Sequence, residues 1–204
     1  MSGLGWMYGA DLPLLSVTFA RDLTARELLE RMGADPATLA ERTQKEFDED
    51  FDDILYEDDA YVVTAGRYGS WAWVWEHGSW LCVEDDDLLS ELSAGTAALS
   101  LHANEKPLVD FRYAVNGQLV TGLHTLLGIE PRHRTGQDPH HFDSELEALG
   151  ARPDTGETGP LGMRGLFFRL TEGLGAGMDQ ADLFAETVLS ARLRPHPDRV
   201  ARCA

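Results

Sequence analysis

Two cysteines, Cys82 and Cys203, and two lysines, Lys45 and Lys106, are all that the 204 residues hold of either type. So few thiols exclude a disulfide framework and fit free thiols in a reducing compartment. No run of about 18 apolar residues occurs, which excludes an ordinary membrane-spanning helix. No charged-then-apolar segment opens the sequence, so a soluble cytoplasmic protein is expected. There is no Gly-x-Ser-x-Gly elbow, phosphate-binding loop, dinucleotide fingerprint or Cys-x-x-Cys, and neither cofactor nor metal is expected. Positive charge is scarce: 17 basic against 35 acidic side chains leave a net charge of −18. A surface this negative disfavours nucleic acid and anionic lipid. It attracts basic proteins, and fastest at low salt. Arginine makes up fifteen of the 17 basic residues, the usage of a GC-rich genome.

Hydrophobic residues are not scarce. At 43%, beside 25% charged, they suit a folded domain with a sizeable core. Four of the five tryptophans fall between Ser70 and Glu84. Flanking His77-Gly78 with aromatic and β-branched residues predicts a hairpin turning at that pair. Trp75 would then face Trp80, and Trp73 would face Cys82, with Ala72, Val74, Leu81 and Val83 on the other side. A ribbon apolar on both faces belongs in the middle of a sheet. Asn116-Gly117, the preferred type I′ dipeptide, predicts a second hairpin, half-solvated and nearer an edge.

The remaining segments read as follows. Residues 1–13 are glycine-rich and irregular, a flexible terminus. Leu14 to Phe19 and Tyr61 to Ala65 are strands, as is Thr96 to His102. Thr24 with Glu27 predicts a capping box, and Gly33 ends that helix. A second helix is predicted from Asp35 and Pro36 through Phe47, Phe51 and Leu55. Short helices are predicted over Asp87–Leu92 and Phe142–Leu149, and longer ones around Arg164–Thr171 and Gln180–Leu193. Residues 14–127 thus form an α+β core, an antiparallel sheet of about five or six strands with helices packed against it. Residues 128–204 read as a loop-rich helical extension packed on that core.

The run from Glu46 to Asp59 carries Glu46, Asp48, Glu49, Asp50, Asp52, Asp53, Glu57, Asp58 and Asp59. Asp48, Asp50, Asp52 and Asp59 match positions of a calcium loop, but the sixth position is Asp53 where a sharp turn needs glycine. An acidic helix face fits better. Asp85 and Asp86 form a second anionic spot. His133, His140 and His141 with Asp138 and Asp143 lack the register that sets two ligands on one helix face, so a surface loop is expected. The Trp-rich sheet offers the other candidate, an aromatic pocket using Trp71, Trp73, Trp75, Trp80 and Arg112.

Several segments resemble an actinobacterial family of unknown function abundant in Streptomyces-type genomes. They are Val17-Thr18-Phe19 with Arg21, Leu23-Thr24 through Gly33, Gly69-Ser70-Trp71, Leu92 through Ser100, and Phe111-Arg112-Tyr113-Ala114 with Asn116-Gly117. The resemblance spans roughly residues 14–125 and implies no activity or catalytic residues. Charge therefore carries the functional expectation. The chain reads as a non-catalytic interaction protein docking a basic partner, in the manner of an immunity protein, antitoxin or regulatory subunit. A ligand-binding or enzymatic pocket on the Trp-rich sheet is the alternative.

Overall fold

The structure is a computed structural model, and it describes residues 3–8, 14–55, 57, 61–104, 109–124 and 126–194, with the side chains of Tyr8, Glu84 and Asp86 outside that description. Eight strands form one sheet: β1 (Leu14–Arg21), β2 (Ala40–Arg42), β3 (Tyr61–Tyr68), β4 (Trp71–His77), β5 (Ala97–Asn104), β6 (Val109–Val115), β7 (Gln118–His124) and β8 (Val188–Leu193). Their order is β2-β8-β3-β4-β1-β5-β6-β7, antiparallel throughout. Helices α1 (Ala25–Arg31), α2 (Gln44–Phe51), α3 (Leu81–Glu84), α4 (Asp86–Leu92), α5 (Asp143–Ala148), α6 (Gly162–Gly173) and α7 (Gln180–Leu183) complete the elements. The mixed α/β architecture and the antiparallel sheet match expectation. The strand count does not: eight strands replace the expected five or six, and most helices are short.

Two local expectations hold because their signals are short-range. Thr24 accepts from the Glu27 N–H while Glu27 accepts from the Thr24 N–H, closing the capping box of α1. Asn116 and Gly117 both take positive φ, 51° and 83°, as a type I′ turn between β6 and β7 requires.

The tryptophan hairpin is a correction. β4 pairs with β3 through Tyr68↔Trp71, so the ribbon turns at Gly69-Ser70, ahead of the tryptophans. After Gly78 the chain enters α3. The cause is Glu76, only 2% exposed, whose Oε2 accepts from the Leu81 N–H at 2.6 Å and from Ser79 Oγ at 2.8 Å. The buried carboxylate accepts from the first turn of α3 and so favours a helix where a returning strand was expected. Trp80 therefore does not face Trp75, nor Cys82 Trp73.

Five further segments differ. Asp35-Pro36 opens a turn, with Asp35 Oδ1 accepting from the Ala37 N–H; the helix starts later, at Thr43, which forms its own capping box with Glu46. The expected Gln180–Leu193 helix is only the short α7, followed by β8, which inserts between β2 and β3. The helix expected from Asp87 starts at Asp86, with Asp85 as its cap. Nor is β6 half-solvated, since Asp110 is 5% and Ala114 0% exposed. Leu4, Trp6 and Met7, from the stretch read as an irregular terminus, are buried.

The sheet is covered on both faces. One face carries Trp71, Trp73, Trp75, Phe19 and Phe111 under α5, α6 and residues 3–8. The other carries Ala20, Ala65, Ala72, Val74 and Ala98 under α1, α3 and α4. Small residues on this second face admit helices close to the strands. Gly66 serves the first: an added Cβ there would overlap the Trp73 indole, so the absence of a side chain lets that ring lie across β3.

Candidate functional site

At the edge where β3, β4 and β8 meet α2, the sheet leaves a cavity of about 230 Å³. Trp75 reaches it from β4, and Trp6 stacks on Trp75 with ring centroids 6.4 Å apart and planes 18° apart. The Trp6 indole is fixed by its N–H, which donates to the Met178 carbonyl at 2.9 Å. Phe47 of α2 meets His77 at 4.9 Å between centroids. His77 Nε2 lies 3.1 Å from Thr64 Oγ1. Burial holds the His77 pKa down, at about 4, so the ring is neutral at physiological pH. Phe184, 67% exposed, stands beside the cavity on the α7–β8 connection.

Arg42 also lines this space. Its Nε donates to Asp50 Oδ2 at 2.7 Å and its Nη1 to the Thr38 carbonyl at 2.8 Å and Ser190 Oγ at 3.0 Å. The guanidinium lies 4.7 Å from the Phe51 ring centre. One side chain thereby fastens β2, β8 and α2 together, with its charge answered by Asp50.

The acidic face runs along the outer side of α2 and the turns that follow it. Asp48, Glu49, Asp50, Asp52, Asp53 and Glu57 are exposed, while Phe47 and Phe51 are buried. Several of these carboxylates have local work. Glu46 closes the capping box, and backbone and hydroxyl donation from Thr43 lowers its pKa. Glu49 pairs with Lys45 at 3.2 Å, and Asp48 accepts from Gln44 at 2.7 Å. Asp58 and Asp59 lie outside the described residues, as does the side chain of Asp86. Asp85 is buried, and its Oδ1 accepts from the Asp87 and Leu88 N–H groups.

Of the five expected pocket residues only Trp75 lines the cavity. Trp71 and Trp73 are 1% and 0% exposed, and the Trp71 N–H donates to the Leu174 carbonyl at 3.2 Å. Trp80 and Arg112 lie elsewhere. Trp80, 41% exposed, sits 6.1 Å from the His102 ring. Arg112 pairs with Asp110 at 3.0 Å.

Those residues belong to a polar strip that the sequence reading missed. Ser16↔His102, His102↔Asp110 and Asp110↔His124 are direct cross-strand partners on β1, β5, β6 and β7. Glu76 extends the strip on β4 by accepting from Ser16 Oγ at 3.1 Å. Burial raises the Glu76 pKa against the opposing effect of its four donors. Cys82 beside it accepts from Thr18 Oγ1 at 2.8 Å, and burial followed by the Glu76 charge pushes its thiol well above its ordinary range. Burial also lowers the His102 pKa. Within the strip Arg112 answers Asp110, Glu76 is held by neutral donors, and His102 Nδ1 and Ser100 Oγ are buried without a hydrogen-bond partner among the described residues. The signal of the strip was present as Ser16/Thr18, Ser100/His102 and Asp110/Arg112 at alternating strand positions.

The histidine loop is held apart by its own carboxylates. His133 lies 2.9 Å from Glu130, His140 2.7 Å from Asp143, and His141 3.5 Å from Asp138. Among the described residues no group of three His, Cys, Asp or Glu side chains could hold a metal ion. No helix among them is long and apolar enough to cross a membrane.

Fold and site together define an α/β protein whose eight-stranded antiparallel sheet carries an aromatic cavity beside an acidic helix. The chain belongs to the family of unknown function DUF6461, whose match spans residues 14–164. That match reaches past the segments quoted from the sequence and takes in the histidine loop and the start of α6. No curated protein and no solved structure matches the chain.

Proposed function

We propose that this is a non-catalytic cytoplasmic protein that docks a positively charged protein partner, as an immunity-type or regulatory accessory protein would. The observation that carries the reading is α2: its apolar side is committed to Phe47, Phe51 and the cavity, so its carboxylates are presented outward beside a concave site. The net charge of −18 supports it, and fifteen arginines among the basic residues support an actinobacterial, GC-rich source. Asp85 is a helix cap and is left out of the surface. The working carboxylates are Asp48, Asp52, Asp53 and Glu57, to which no ion pair with a basic side chain is assigned among the described residues. Asp50 is spared because it holds Arg42.

Affinity capture from host lysate with the wild type and with the Asp48→Asn, Asp52→Asn, Asp53→Asn, Glu57→Gln variant tests this. A basic protein recovered at low salt by the wild type alone, lost at moderate salt, is the expected result. Equal recovery by the variant would refute the acidic face as the docking surface.

A further inference from the structure

The cavity and the acidic face adjoin, and their dimensions say what kind of contact they share. A volume of about 230 Å³ holds about seven waters at ~30 Å³ each. It falls below the ~300–1,000 Å³ of pockets that bury a drug-sized ligand. That is room for one large side chain, not for a nucleotide or coenzyme. Rings make up much of its wall, Trp6, Phe47, Trp75 and His77 with Phe184 exposed beside them, and Arg42, Thr43, Gln44 and Thr64 supply the polar part. Its polar groups are uncharged in sum, since His77 is neutral and Arg42 is matched by Asp50. A cation buried there beside Arg42 would lack a counter-charge, so the occupant is uncharged, and the rings on the walls favour an aromatic side chain packed edge or face against them. Negative charge lies immediately outside, on the exposed carboxylates of α2.

We propose that the cavity is the anchor pocket of a protein-docking site, receiving one aromatic side chain of a partner segment whose flanking residues are lysines and arginines. This rests on the docking function proposed above and adds the identity of the anchor. The arrangement is that of an interface hot spot: one ring buried in a fitted hole, with charge at the rim steering and orienting the encounter. With Thr64 Oγ1 bonded to His77 and the Gln44 NH2 to Asp48, the remaining Thr64 lone pair and the Gln44 carbonyl oxygen on the cavity wall can accept from a phenol O–H or indole N–H, which suits tyrosine or tryptophan over phenylalanine.

A random dodecapeptide display library selected on the full chain tests both halves at once. Ala185→Trp fills the cavity from an exposed wall position without touching the core, and an unchanged melting temperature confirms its fold. The expected selection is one Tyr or Trp flanked by Lys or Arg. Replacing that aromatic with Ala should weaken the synthetic peptide at least tenfold, and Ala185→Trp should do the same to the original peptide. Selection of Lys and Arg with no aromatic preference, unaffected by Ala185→Trp, would overturn the anchor and leave the acidic docking face standing. Aromatic selection without basic flanks would overturn the proposal by removing the docking face instead. No enrichment would overturn both.

Discussion

Replacing Glu76 separates its two roles, as acceptor for α3 and as a buried acid. Glu76→Ala removes the acceptor of the Leu81 N–H and of Ser79 Oγ. A buried unsatisfied donor costs about 1–3 kcal/mol, so with the void left behind the loss should be about 3 kcal/mol or more. Glu76→Gln keeps the acceptor: its amide oxygen can take the Oε2 place, and its NH2 can donate to Ser16 Oγ as that hydroxyl reverses. The titration disappears, and with it only the long 3.5 Å contact that Oε1 accepts from the Cys82 N–H. Burial raises the Glu76 pKa above its ordinary 4.5, so the folded state binds the proton more tightly than the unfolded state. The stability contributed by that proton is complete below pH 4.5 and is lost as pH rises through the folded pKa. The Gln variant is spared this loss. It should match the wild type within about 1 kcal/mol near pH 4 and then gain on it by about 1.4 kcal/mol per unit of pKa elevation. Urea unfolding followed by tryptophan fluorescence between pH 4 and 8 measures the difference, and the His77 contribution cancels because both proteins keep it. A difference that stays flat, or that favours the wild type as pH rises, would refute a raised Glu76 pKa.

Other consequences run through different residues. His77, with its pKa lowered to about 4 from 6.5, contributes stability that is present above pH 6.5 and lost as pH falls toward 4, up to about 3 kcal/mol; His77→Gln should show a shallower acid slope in the same unfolding assay. Gly66→Ala drives a Cβ into the Trp73 indole and should cost about 1–3 kcal/mol by overpacking, with an altered near-UV circular dichroism; unchanged stability would mean that the ring is free to move. Cys82, buried with a raised pKa, should resist Ellman's reagent in native Cys203→Ser protein and react fully in denaturant. Arg42→Lys loses the planar fork that bridges Asp50, Thr38 and Ser190; amide exchange should accelerate in α2 and β2 but not in β5–β7, and a uniform acceleration would argue against Arg42 as a local fastening.

What was legible in the sequence was local. Asn116-Gly117 makes its turn because two adjacent residues must adopt positive φ, and the Thr24–Glu27 box closes over three residues. His77-Gly78 looks much like Asn116-Gly117 in composition. What decides its fate is Glu76, which would ordinarily face water; here the surrounding strands and α3 bury it, and it then caps the helix that replaces a return strand. The stretch from Gln180 to Leu193 reads as an amphipathic helix, yet Val188–Leu193 pairs with β3 across well over a hundred residues. No window of sequence contains both partners of that pairing. Long-range partners override propensity most easily in short apolar runs, where helical and strand periodicities are hard to tell apart.

The candidate site was legible in its charge and not in its shape. The carboxylates of α2 are visible in any composition plot, but the cavity behind them is assembled from Trp6, Phe47, Thr64, Trp75 and Phe184, which lie on five separate segments. Trp75 alone among the expected pocket residues belongs to it: alternation along β4 puts Trp71, Trp73 and Trp75 on one face, and only Trp75, nearest the C-terminal end of the strand, borders the cavity. Arg42 then ties shape to charge. It lines the cavity, stacks on Phe51 and holds Asp50, so one guanidinium adds to the Phe47 and Phe51 packing that seats α2. A partner filling the cavity would press on the same side chain that positions the acidic face. Steering and anchoring are therefore expected to couple, and their energies should not add when both are mutated, as for residues sharing a partner.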